Sequence, residues 1–116
     1  MERKLAAILS ADVEGYSRLV EDDDEAAIRT LTAHREVMRA LIEAHHGRVV
    51  DTPGDNLLAE FPSVVDAVRC AEELQRTLHT RNAQAEPSRR IAFRMGINIG
   101  DVIVEGDRIY GDGVNI

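Results

Sequence analysis

From Ile91 to Ile99 the chain alternates without a break, with Ile91, Phe93, Met95, Ile97 and Ile99 on one side and Ala92, Arg94, Gly96 and Asn98 on the other. A period of two sustained over this length fits an extended strand with one face in a core and the other reserved for small and polar groups. Such a strand needs a sheet to pair with and a layer to cover it. Leu5 to Ala11 reads as a second strand, an apolar run ended by Asp12 and Gly15 and covered on both faces. Arg48 to Thr52 and Asn56 to Phe61 read as the arms of a hairpin. Pro53 and Gly54 sit at its central turn positions and Asp55 at its tip. A further hairpin, Val102 to Val104 with Arg108 to Tyr110, turns at Glu105, Gly106 and Asp107.

The covering layer is helical. Tyr16 to Val20 reads as a brief helix. The acidic run Glu21, Asp22, Asp23, Asp24 and Glu25 then forms the entry of a long amphipathic helix, Asp24 to His46. Ile28, Leu31, Met38, Leu41 and Ile42 form its apolar stripe and Gly47 its stop. Ser63 and Asp66 resemble a capping box, ahead of a helix whose buried face is Val64, Ala67, Val68, Ala71, Leu74 and Leu78. Arg81 to Arg90 reads as a loop. His34, His45, His46 and His79 lack paired ligand spacing and read as surface or boundary residues.

Composition narrows the function class. With 116 residues the chain is one domain, able to bury roughly two-thirds of its unfolded surface without cross-links. The acidic run supplies most of the formal charge of −7, so the rest is nearly neutral and offers no footprint for nucleic acid. Cys70 is the only cysteine. It reads as a small packing residue in a reducing, cytoplasmic setting. No run approaches transmembrane length, so no direct membrane contact is expected of this segment.

Strand, helix, strand, strand, helix, strand is the order of a split β-α-β fold. The expected class is α+β, a ferredoxin-like sandwich with helices on one face of an antiparallel sheet. If the return arm of the first hairpin lies between its outgoing arm and the first strand, Asp12 and the tip residue Asp55 share one edge of the sheet. Two converging carboxylates repel unless a cation joins them, and hard oxygen ligands suit Mg²⁺ or Mn²⁺ carrying nucleotide phosphates. Gly15 permits a sharp turn after which the helix N–H groups from Tyr16 onward face an anion. Arg94, on the polar face of its strand, either complements phosphate charge or forms a surface ion pair. Together these residues fit a two-metal phosphoryl or nucleotidyl transfer site.

Four segments carry a resemblance: Ala-Asp-Val-Glu-Gly-Tyr-Ser at 11 to 17, Thr-Pro-Gly-Asp at 52 to 55, Phe-Arg-Met-Gly-Ile-Asn-Ile-Gly at 93 to 100 and Ile-Tyr-Gly-Asp-Gly-Val-Asn at 109 to 115. In order and spacing they resemble the class III adenylate/guanylate cyclase catalytic domain, a palm-like fold. Residues 1–116 then correspond to the N-terminal two-thirds of that domain. The resemblance implies a homodimer with sites between subunits, forming a 3′,5′-cyclic nucleotide and pyrophosphate from a nucleoside triphosphate, with two Mg²⁺ or Mn²⁺ per site. It implies Asp12, Asp55 and the Val13 carbonyl as metal ligands and Gly15, Tyr16 and Ser17 as the triphosphate turn. Arg94 matches a phosphate-contacting arginine. Asn115 matches the asparagine that orients the ribose from the partner subunit.

Three departures qualify the match. The family's adenylate enzymes usually carry lysine where this chain has Asp51, and often aspartate or threonine where it has Arg108. Asp51 could accept from adenine N6 or from guanine N1 and N2, and Arg108 could donate to adenine N1 or guanine O6. The two could equally pair with each other and touch no base. ATP is favoured over GTP on family grounds. The family's transition-state arginine and phosphate-binding lysine follow the asparagine, whereas this sequence stops at Ile116. The expectation is therefore a piece of a longer cyclase that is nearly inactive alone. The alternative is a catalytically degenerate relative that keeps the fold for dimerisation or nucleotide sensing.

Overall fold

The computed structural model describes the backbone of residues 2–105 and 108–111 and the side chains of residues 5–15 and 25–100. Along the chain come β1 (Glu2–Val13), α1 (Tyr16–Ala44), β2 (Arg48–Asp51), β3 (Leu57–Phe61), α2 (Val64–Ala83), a 3₁₀ turn (Pro87–Arg89), β4 (Phe93–Glu105) and β5 (Arg108–Gly111). The strands form one sheet in the order β2-β3-β1-β4-β5, every neighbouring pair antiparallel. This is the expected α+β ferredoxin-like sandwich. β3 lies between β2 and β1, so those two run the same way. β1 pairs with β4 from Glu2↔Val104 to Val13↔Phe93, and with β3 from Ala7↔Phe61 to Ala11↔Leu57. The arms read at Val102 to Val104 and Arg108 to Tyr110 pair within β4 and β5. Turn residues Gly106 and Asp107 lie outside the described residues.

Alternation along the strands decides which face meets the helices. Ala7, Leu9, Ala11 and Val13 of β1 join Leu57, Ala59, Phe61 and Phe93 in a core closed by Leu31, Met38 and Ile42 of α1 and Ala67, Cys70, Leu74 and Leu78 of α2. Both helices therefore lie on one face. The sheet also curls, for β5 comes into contact with β2 although they are its opposite edges. Ala6 and Ile8, which point away from the helices, are buried as well.

Helix bounds differ from the reading of the sequence. α1 is one continuous helix from Tyr16, because no glycine or proline interrupts Tyr16 to Ala44. The acidic run therefore lies inside the helix and not at its entry, which is capped by Gly15 in a left-handed conformation. The buried stripe is Ala27, Leu31, His34, Met38 and Ile42, while Ile28 is 53% exposed. On α2, Cys70 is buried and Val64 and Val68 are exposed. Ser63 caps this helix as read, its hydroxyl accepting from the Asp66 N–H at 3.1 Å. The stretch read as a loop from Arg81 is helical to Ala83 and then makes the 3₁₀ turn. Asn82 binds the Ile91 backbone in both directions, at 2.8 and 3.0 Å, and so docks the connection onto the sheet.

Gly47 does not stop α1 by its own conformation. His46 takes the left-handed position, φ 69°, and donates to the Glu43 carbonyl, while the Gly47 N–H reaches the Ile42 carbonyl at 2.8 Å. These are the two bonds of a Schellman ending, with glycine one residue beyond its usual place. What demands glycine here is space, since a Cβ on Gly47 would lie 2.5 Å from Cε1 of the buried Phe61. His45 ties the same end to α2 through Nε2 and Glu73 Oε2 at 2.6 Å.

Two buried groups titrate away from their ordinary ranges. Burial, with Glu73 nearby, pushes the Cys70 thiol up to about 11. Burial and then the Arg81 guanidinium hold His34 below its usual 6.5. Because its folded value is depressed, the neutral imidazole contributes fully above 6.5, and stability is lost as pH falls below that point.

Replacing Gly47 by Ala should destabilise the fold by about 1–3 kcal/mol through overpacking, and a Phe61→Leu background should recover part of that loss in denaturant titrations. Thermal melts between pH 7 and 5 should show a steeper loss of stability for the native chain than for His34→Gln, which lacks the titrating ring.

Candidate functional site

Asp12 stands near the end of β1 on the face away from the helices, directly opposite Arg94 in the β1–β4 register. The pair is bidentate, with Arg94 Nε donating to Oδ1 at 3.3 Å and Nη2 to Oδ2 at 3.1 Å. Its side chains are 34% and 66% exposed, so the guanidinium stays open to water while neutralising the carboxylate. Of the two roles left open for Arg94, the ion pair is the one present in this structure. Immediately beyond Asp12, Val13 is buried and the Glu14 N–H bonds the Ala92 carbonyl at 2.9 Å, pinning the turn to the entry of β4. Gly15 then adopts φ 72° and Tyr16 and Ser17 open α1. A helix thus begins beside the aspartate, as the glycine turn suggested.

The hairpin tip reaches the same edge. The last β1–β3 pair is Ala11↔Leu57, so the tip that precedes Leu57 lies at the end of the sheet where β1 runs out at Asp12 and Val13. The turn itself is shifted by one residue from the reading: the Asn56 N–H bonds the Pro53 carbonyl at 2.9 Å, which puts Gly54 and Asp55 at the central positions. Gly54 has φ +59°, a first-position angle that glycine supplies without strain. Asp55 is half-buried, and among the described residues no hydrogen bond or ion pair occupies its carboxylate.

One residue that holds the tip was not foreseen. Arg35 extends from α1 and donates through Nη2 to the Gly54 carbonyl at 2.6 Å and the Asn56 carbonyl at 3.4 Å. Both carbonyls flank Asp55, so a helix-borne cation fixes the loop that carries it. A lone arginine beside an apolar stripe gives no signal of this in the sequence.

Asp51 ends β2 after a register shift between Val49 and Asp51, is exposed, and accepts from the Thr52 N–H at 2.9 Å. Arg108 begins β5, and its side chain lies outside the described residues, as do those of Tyr16 and Ser17; Asn115 lies outside them entirely. Among the described residues no group of three or more His, Cys, Asp or Glu side chains gathers to hold an ion. Two carboxylates and hard carbonyl oxygens fit Mg²⁺-type ions, which keep water and take phosphate oxygens to complete their shell.

A family model described as the adenylate and guanylate cyclase catalytic domain matches residues 2–116. A Rhizobium meliloti protein described as putative adenylate cyclase 3 is 44% identical over 117 residues, an alignment covering 100% of this chain and 20% of that protein. The solved adenylate/guanylate cyclase/hydrolase from Silicibacter pomeroyi superposes with a TM-score of 0.89 at 41% identity, covering 98% of this chain and 67% of that one. The guanylyl cyclase Cya2 gives 0.83 at 26% identity, with the same two coverages. The chain therefore spans a fifth of the rhizobial relative and two-thirds of the two solved chains.

Replacing Arg35 by Gln should free the tip without unfolding the sheet. Hydrogen exchange at the Asn56 amide is expected to accelerate at least tenfold, with the central β1 amides unchanged.

Proposed function

The chain belongs to the adenylate and guanylate cyclase catalytic domain family, and from that membership we propose that it forms the substrate rim of a nucleotide cyclase. The reaction is formation of a 3′,5′-cyclic monophosphate and pyrophosphate from a nucleoside triphosphate, at the interface of a homodimer. The observation that supports this most is the common edge shared by Asp12, the Gly15 turn and the tip that bears Asp55.

Each residue has a defined task in this reading. Asp12, Asp55 and the Val13 carbonyl hold two Mg²⁺ or Mn²⁺ ions, which when bound lower the pKa of the ribose 3′-hydroxyl and neutralise the leaving pyrophosphate. The N–H groups that open α1 after Gly15 receive phosphate oxygens, with Tyr16 and Ser17 in that first turn. Arg94 exchanges partners, leaving Asp12 for a phosphate oxygen when substrate arrives and the divalent ions take over that carboxylate. Asn115 of the partner subunit orients the ribose. Asp51 and Arg108 are the residues assigned to base recognition in this reading. ATP is the favoured substrate, a choice supported by the rhizobial relative described as an adenylate cyclase. Turnover is assigned to a domain of the length seen in the solved relatives, of which this chain spans 67%.

Incubating the domain-length protein with Mn²⁺ and either ATP or GTP should yield the cyclic monophosphate. Asp12→Asn or Asp55→Asn should lower the rate at least about a hundredfold while thermal stability holds. A folded dimer that makes no product from either nucleotide would overturn the enzymatic reading in favour of a sensing or dimerisation module.

A further inference from the structure

The helical side carries a second concentration of charge that the rim does not use. A cavity of about 380 Å³ opens where α1, the end of α2 and the 3₁₀ turn meet, lined among others by Arg29, Thr30, His34, Arg81, Gln84 and Arg89. Three arginines and, among the described residues, no acidic residue line it, in a chain whose net charge is −7. Arg29 has only a long contact to Glu25 at 3.9 Å, with both side chains largely exposed. Among the described residues no carboxylate pairs with Arg81 or Arg89.

His34 supplies an independent sign that a ligand belongs here. It is 4% exposed, and its Nδ1 accepts from Arg81 Nε at 3.0 Å. A guanidinium can only donate, so the imidazole hydrogen is on Nε2, and that buried donor has no partner among the described residues. Buried donors left unmade are rare because they forfeit their hydration. The lining is therefore rich in donors and positive, and it lacks an acceptor with several oxygens. Planar guanidinium forks match phosphate oxygens, and the volume lies in the range of small-molecule sites.

The cavity is separate from the rim. His34 meets Phe93 edge-on, with centroids 6.1 Å apart and an interplanar angle of 81°. Phe93 lies in the helix-facing core, whereas its neighbour Arg94 turns to Asp12 on the opposite face of the sheet.

We propose that this cavity is a second anion site, taking a small phosphate-bearing molecule on Arg29, Arg81 and Arg89 with the buried His34 as an additional donor. It needs no divalent ion and does not depend on the catalytic reading of the rim. The test is calorimetric titration of the full chain with inorganic phosphate, and separately with glycerol 3-phosphate, in EDTA at constant ionic strength. NMR of the imidazole Nε2–H accompanies both titrations. Saturable one-to-one binding of either probe is expected, with a shifted His34 resonance. Binding should weaken at least tenfold in Arg29→Gln/Arg89→Gln and stay unchanged in Arg94→Gln, which removes the phosphate-binding cation of the rim. The proposal is overturned if neither probe gives a response beyond that of chloride. It is equally overturned if binding survives the double arginine change, or is lost in Arg94→Gln, which would place the anion at the rim.

Discussion

Everything in the molecule is referred to the register of β1. This strand is hydrogen-bonded on both sides, to β4 along its whole length and to β3 over its middle, so its alternation cannot slip without exchanging core and rim. In the observed register Ala7, Leu9, Ala11 and Val13 enter the core, and Asp12 is left on the other face at the end of the strand. A slip of one residue would turn Asp12 into the helix-facing core and Leu9 onto the opposite face of the sheet. The hydrophobic pattern that folds the sheet is thus the same pattern that presents the carboxylate.

That constraint positions one half of the rim, and α1 positions the other. The helix starts at the Gly15 turn, and its Arg35 fastens the hairpin tip by two backbone carbonyls. The helix is anchored at its far end by the Schellman ending at His46 and Gly47 and by the His45–Glu73 contact with α2. Asp55 therefore rests on a loop held from the helix layer, whereas Asp12 rests on the sheet. Core packing between Met38, Ile42 and the sheet joins the two supports. The Asp12–Arg94 pair is a weaker, solvent-exposed contact by comparison, suited to partner exchange more than to holding the fold together.

The strand order, the antiparallel sheet with helices on one face, and the shared edge of Asp12 and the first hairpin were legible because they rest on period-two patterning and topology. Boundaries were less so. The acidic run at residues 21–25 looked like a helix entry because carboxylates favour that end, but uninterrupted helix formers on both sides carry α1 through it. Val64 and Val68 matched helical spacing and lost their place in the core to Cys70, since the angle at which α2 crosses the sheet is a tertiary property. Gly47 was recognised for the wrong reason: the ring of Phe61, fourteen residues on, makes glycine necessary there, a contact that local sequence does not encode. Arg35, Arg81 and Arg89 were invisible as functional candidates because their significance lies in what α1, α2 and the connection bring together.

The central claim is that Asp12 and Asp55, supported by different layers, act on shared cations at one edge of the sheet. A double-mutant cycle read by Mn²⁺ titration with electron paramagnetic resonance tests it most directly, using Asp12→Asn, Asp55→Asn and the pair in a domain-length protein with nucleoside triphosphate present. The account predicts strong coupling, with either single change removing nearly as much Mn²⁺ affinity as both together. Independent, additive losses, or no loss from one of them, would contradict it.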